Sequence, residues 1–96
     1  MQRTITKTGH VVERQVRAHL ILVPMNTGPA RLEALYTLNE TAAFIWAGIT
    51  PGIVENDLVG RLVESYDIDE TSARKDVSRI LDRLAAIGAV TVAWKE

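Results

Sequence analysis

Tyr36-Thr37-Leu38-Asn39-Glu40-Thr41-Ala42-Ala43-Phe44-Ile45-Trp46 is the stretch in which the chain changes period. Upstream of Asn39 the apolar residues alternate: Leu32, Ala34, Tyr36 and Leu38 share one face of an extended strand that begins at Arg31. Downstream, Ala42, Ala43, Ile45 and Trp46 recur at helical spacing. Asn39 stands at the junction, where its side chain can accept from a first-turn backbone N–H, and Glu40 places a carboxylate at the positive end of the helix dipole. A strand running directly into a capped helix is predicted, the helix ending near Gly48.

Working back from the junction, Met25-Asn26-Thr27-Gly28-Pro29 has turn composition. Ala18 to Val23 is the strongest strand signal, stopped by Pro24, which has no N–H for a ladder. A short strand starts at Val11-Val12. Three strands with tight connections predict an antiparallel meander. Met1 to Gly9 is polar, carries Arg3 and Lys7, and is neither assigned a strand nor read as a signal peptide.

Working forward, Thr50-Pro51-Gly52 breaks the first helix. A second is predicted from about Val54 to Ser65, with Leu58, Leu62 and Val63 on its stripe. Asp69 caps a third, Glu70 to Ile87, in which Ala73, Val77, Ile80, Leu81, Leu84 and Ile87 recur every three or four residues. Gly88 stops it, and Ala89 to Trp94 reads as a closing strand. The fold class expected is α+β and winged helix-turn-helix-like: a three-stranded antiparallel sheet, three helices and a short C-terminal strand, in one domain over residues 1–96.

Composition narrows the function. The chain has 96 residues, 47% of them hydrophobic, and no cysteine. A chain of this size buries only about 60–65% of its unfolded surface, which leaves little room for a deep substrate cavity. Without cysteine there is no disulfide framework, thiolate zinc site or thiol nucleophile. The longest apolar run, Leu20 to Pro24, is far short of a membrane span, so a soluble, cytoplasmic protein with no membrane partner is expected. His10 and His19 are not spaced as metal ligands. Asp67, Asp69 and Glu70 lack the spaced ligands and central glycine of a calcium loop. No phosphate loop or nucleophile elbow occurs. No catalytic residue, metal or cofactor is expected, and the chain is read as a non-enzyme.

Binding remains. A net charge of −1 disfavours a nucleic-acid footprint, although a winged-helix DNA-binding regulator is the alternative that the element order raises. The third helix carries Arg74, Lys75, Arg79 and Arg83 against Asp76 and Asp82; this reads as a solvated face with pairs such as Asp76–Arg79, or as a basic rim for an acidic peptide. Leu35 lies on the face opposite the alternating set. If its strand is a sheet edge, the unpaired backbone can accept another strand, with the third helix as second wall. The same edge invites a homodimer.

The segment Tyr36 to Trp46 resembles the "LNxxAxxIW" signature of the PqqD family, and the resemblance extends through Leu58, Leu62, Tyr66-Asp67-Ile68-Asp69, Ala73, Asp76-Val77, Ile80-Leu81, Leu84 and Gly88. It covers about residues 10–92. Thr50-Pro51-Gly52-Ile53 departs from the family's Asp-Gly and Ser/Thr cap before the second helix. The resemblance implies a RiPP recognition element: a winged-helix-like peptide chaperone that binds the leader peptide of a ribosomally made precursor and presents it to a maturation enzyme, often a radical-SAM protein, in natural product biosynthesis. Carried to this chain, the peptide would add to the strand at Leu32, Glu33, Ala34, Leu35 and Tyr36. It would rest on a helix wall of Arg74, Val77, Ser78 and Leu81. The departures favour a general family member over a participant in the synthesis of pyrroloquinoline quinone itself.

Overall fold

The computed structural model describes residues 2–25 and 35–95, with Lys95 by its backbone alone. The alternating pattern before Asn39 does form a strand, β4 (Tyr36–Leu38), and it ends the predicted meander of β2 (Val11–Val16) and β3 (His19–Pro24). The sheet order is β2-β3-β4, all antiparallel, with Val12 opposite Val23 and Leu20 opposite Leu38. The short strand expected at Val11-Val12 therefore runs to Val16. Pro24 is the last residue of β3. The expected turn residues 26–29 and strand residues 31–34, which include Leu32, Glu33 and Ala34, lie outside the described residues.

The polar segment from Gln2 to Lys7, to which the sequence assigns no strand, is β1. It is the central strand of a second sheet, β5-β1-β6, between β5 (Ile53–Val54) and β6 (Val90–Lys95). All six β1 residues pair with β6, from Gln2 opposite Lys95 to Lys7 opposite Val90. Only Ile5 of β1 is fully buried, so the strand carries almost no hydrophobic signature. The expected closing strand thus has a partner at the far end of the chain.

The helices follow the predicted spacing closely. In α1 (Glu40–Ala47), Asn39 Oδ1 accepts from the Ala42 N–H at 2.8 Å, the predicted cap, and Ala42, Ile45 and Trp46 are buried. In α2 (Glu55–Ser65), Leu58, Val59 and Leu62 are buried. The stripe includes Val59 where Val63 was expected; Val63 is exposed because it lies beyond the edge of the buried face. In α3 (Glu70–Ala86), Ala73, Val77, Ile80, Leu81 and Leu84 are buried, and Ile87 is half-buried. Gly88 follows at φ +78°, a left-handed turn that costs glycine nothing and reverses the chain into β6. Ile5, Leu22 and Leu38 join the helix stripes in one core that takes a face from each sheet.

The departure at Thr50-Pro51-Gly52-Ile53 has a structural counterpart. Gly52, at φ +75°, donates its N–H to the Ile5 carbonyl, and Ile53 and Val54 then pair with Ile5 and Thr4 as β5. Helix α2 starts straight from this strand, with Val54 at the N-cap and no side-chain cap. Its first residue, Glu55, is gripped instead by Arg3 of β1: Nε lies 2.7 Å and Nη2 2.9 Å from the two carboxylate oxygens. Arg3 also reaches Ser78 Oγ at 3.2 Å and Asp82 at 3.1 Å on α3, so one guanidinium joins a strand to two helices. The bond to Glu55, with Asp82 assisting against partial burial, holds the Arg3 pKa well above the usual arginine value.

Trp46 makes a second tie. Its buried indole N–H donates to Glu13 of β2 at 2.7 Å, and the Lys7 ammonium of β1 stands 4.2 Å from the ring centre. The first strand of each sheet in chain order is thereby tied to α1.

The Arg3 fork predicts an asymmetric response to mutation. Arg3 and Glu55 expose only 15% and 21% of their side chains, so Arg3→Met is expected to cost about 1–3 kcal/mol. Asp82 is 68% exposed, and Asp82→Ala is expected to cost under about 1 kcal/mol. Urea denaturation of the two variants distinguishes them, and equal losses would contradict this account of the fork.

Candidate functional site

Strand β4 is the last in its sheet: one side pairs with β3, and the other has no partner strand among the described residues. In an antiparallel strand every second residue directs both its N–H and its C=O to one side, so β4 presents hydrogen-bonding backbone along that open edge. Side chains alternate as expected. Leu38 is buried, Thr37 exposed and Tyr36 half-buried toward the helices, while Leu35, just before the strand, is half-buried.

What borders this edge follows from the two flanks of α3. At 100° per residue, Arg74, Ser78 and Asp82 lie on one side of the buried stripe, and Asp76, Arg79 and Arg83 on the other. The first flank turns toward β1 and α2. Arg74 bonds to Asn56 at 2.6 Å and pairs with Glu70 at 3.4 Å, while Ser78 and Asp82 accept from Arg3. The second flank turns toward β4. The Arg83 guanidinium carbon lies 5.2 Å from the centre of the Tyr36 ring, and Arg79 pairs with Asp76 at 3.4 Å, as the spacing predicts. Burial pushes the Tyr36 phenol above its ordinary pKa, and the charges of Arg79 and Arg83 partly offset that rise.

The residues expected to form a binding wall are therefore placed in three groups. Tyr36 lies at the open edge facing α3, and Leu35, half-buried, precedes it on the chain. Val77 and Leu81 have no exposed surface, because the helix stripe that packs the core runs through them. Arg74 and Ser78 sit on the flank toward β1 and α2, where Arg3 of β1 bonds to Ser78 and Asn56 of α2 to Arg74. Arg83 is the helix residue that the fold sets over Tyr36, and Arg79, one turn earlier, shares its flank. Their signal in the sequence is a pair of arginines four apart, bordering the apolar stripe. Without the bearing of α3 on the sheets that pair looks like solvated surface.

The other residues with chemical potential are dispersed. His10 and His19 are exposed at opposite ends of the β2–β3 hairpin. Asp69 occupies the N-cap position of α3 without a side-chain bond of capping geometry, yet its carboxyl is held below the usual range, chiefly by hydrogen bonding from Ser72. Among the described residues there is no group of three or more His, Asp or Glu placed to hold a metal ion. None of the described helices is long and apolar enough to cross a membrane.

Two variants probe this geometry. Leu81→Ala is expected to lose about 2–5 kcal/mol of stability, as for a fully buried leucine. Because the Tyr36 phenol ionises with more difficulty in the folded chain, its contribution is intact below about pH 10 and is lost as pH climbs through the raised folded value. Tyr36→Phe should therefore show a shallower fall in stability between about pH 9.5 and 11 than the parent chain, measured by urea melts. Parallel pH profiles would mean that Tyr36 is not desolvated.

Comparison with known proteins agrees with this architecture. The family model described as "Coenzyme PQQ synthesis protein D (PqqD)" matches residues 19–90. A structure described as "TbiB1 in Complex with the TbiA(beta) Leader Peptide" superposes with a TM-score of 0.73 at 18% identity, covering 95% of this chain and 99% of that one. Another, "Lasso peptide synthetase B1 complexed with the leader peptide", gives 0.72 at 21% identity, covering 91% and 96%. A search of curated proteins finds no match. The expected winged-helix-like α+β plan stands, enlarged by β1 and β5. From β3 through α3 the matched region takes in the open edge and the helix beside it, and the chain belongs to the PqqD family.

Proposed function

We propose that this protein is a non-catalytic peptide chaperone: it binds the leader segment of a ribosomally synthesised precursor by strand addition and presents the remainder to a modifying enzyme. The observation that carries the reading is the open edge of β4 lying beside α3. Strand addition takes its affinity from main-chain hydrogen bonds and its selectivity from adjacent side chains, and both are available there. Support comes from the fold, which is shared with two proteins solved with leader peptides bound. A radical-SAM protein is the proposed enzyme partner, the cytoplasm the proposed compartment, and Leu32, Glu33, Ala34, Leu35 and Tyr36 the proposed strand wall. On the helix side the proposal moves to Arg79 and Arg83, since Val77 and Leu81 have no free surface. A second copy pairing at β4 would occupy the same edge, so a homodimer would compete with the leader.

Calorimetry with leader segments of small precursors encoded beside this protein tests the reading. Binding is expected, and Leu35→Glu should weaken it by at least about tenfold, or 1.4 kcal/mol, while melting stays within a few degrees. A well-folded chain that binds none of these segments would overturn the proposal. Loss of folding in Leu35→Glu would assign Leu35 to the core.

A further inference from the structure

The charges of α3 are unevenly matched across its buried stripe. On the β1 flank each cation has a short bond: Arg74 reaches Asn56 at 2.6 Å besides a long pair with Glu70, and Arg3 takes both Glu55 and Asp82. Asp82 is thereby committed to the flank away from β4. On the β4 flank Arg79 is 72% exposed and paired only with Asp76, at 3.4 Å. Such an exposed, long pair holds its cation weakly. Arg83 has the Tyr36 ring beneath it and, among the described residues, no carboxylate within ion-pair distance. Two guanidinium groups against one carboxylate thus border an open strand edge, in a chain whose formal charge is −1 overall.

We infer that Arg79 and Arg83 are specificity-determining residues, which select a peptide bearing an acidic side chain on the helix-facing positions of the added strand. This rests on the reading of β4 as the leader-binding edge. A guanidinium presents a planar fork of donors and no acceptor, and the partner it suits best is a carboxylate, which only accepts. The spacing agrees. Residues four apart on a helix are separated by about 6 Å along its axis. Residues two apart on a strand, which face the same way, are separated by about 6.6 Å. A peptide strand following α3 could therefore set Asp or Glu at positions i and i+2 against Arg83 and Arg79, or one acidic residue between them. The half-buried Tyr36 ring under Arg83 excludes water from one side of that guanidinium, which strengthens its attraction for a carboxylate.

A displayed library of random twelve-residue peptides, selected against the intact purified chain, tests the inference. Binders that depend on β4, identified by loss of binding to Leu35→Glu, should be enriched several-fold in Asp or Glu at one or two positions of common spacing. The double variant R79Q/R83Q should lose that enrichment, and R79E/R83E should exchange it for Lys or Arg. Both should melt as the parent does, since the two arginines are exposed. Changing the enriched Glu to Gln in a selected peptide should raise Kd about five- to tenfold, and less at high salt. Edge-dependent binders with no acidic position, or an unchanged motif with R79E/R83E, would overturn the inference and leave the leader-binding reading intact. No edge-dependent binder at all would overturn both. Micromolar binding of a random duplex DNA, lost in R79Q/R83Q, would reassign the two arginines to nucleic acid.

Discussion

The structure depends on covering one helix. Helix α3 has 17 residues, with Ala73, Val77, Leu81 and Leu84 at 0% exposure, a stripe too wide for a single neighbour to bury. The two sheets and the other two helices all contribute to the core around it. Burying each of the larger side chains contributes roughly 1.5–3 kcal/mol, so in a chain this small the stripe dictates where everything else must stand. Once it is inserted, its two polar borders are fixed as well. One faces the sheet built on β1, the other the edge of β4. Their different fates, one bonded into the framework and one left beside an open strand, follow from that single constraint.

The N-terminal strand completes the first border. Without β1, Glu55 would begin α2 with neither a capping side chain nor a counter-ion, and β6 would have no partner. Both deficits are met by the same short segment: its backbone pairs with β5 and β6 while Arg3 takes up Glu55. A conventional Ser or Thr cap would satisfy the start of α2 locally. Here the first-turn N–H groups have no side-chain acceptor; Arg3, 52 positions away, instead anchors the Glu55 carboxylate, and the start of α2 is fixed by tertiary structure.

This division explains what was legible in the sequence. Features with a local cause could be read: the Asn39 cap, the halt of β3 at Pro24, the stripe of α3, the left-handed turn at Gly88. Strand β1 could not, because its six residues bury only Ile5 and it forms through pairing with β6 at the opposite end of the chain. Strand β5, with two residues, is set by the Gly52 turn and by β1. The candidate site divides in the same way. That the residues before Asn39 form a strand with one buried face was readable from their alternation; that the strand lies at an edge was only a condition until the sheet order supplied it. Which flank of α3 borders it was not, since periodicity locates a buried stripe without saying which neighbour lies to either side. Arg74 and Ser78 were thus as reasonable as Arg79 and Arg83 until the sheets were placed.

Recognition through an edge strand places particular demands on side chains. Main-chain hydrogen bonds are the same for every peptide that can extend, so they supply affinity without discrimination. The fold that presents the edge needs a pattern of apolar residues more than particular ones, which fits its persistence at 18% and 21% identity to the matched structures. Discrimination must then come from the few side chains that border the edge and are not consumed by the core. On the helix side of β4 the core claims Val77, Ile80, Leu81 and Leu84, and the β1 network claims Ser78 and Asp82. What remains toward the edge is Asp76, Arg79 and Arg83, with Tyr36 beneath. On the proposed wall, selectivity would then be largely electrostatic, because no large apolar side chain of α3 is left there to form a pocket.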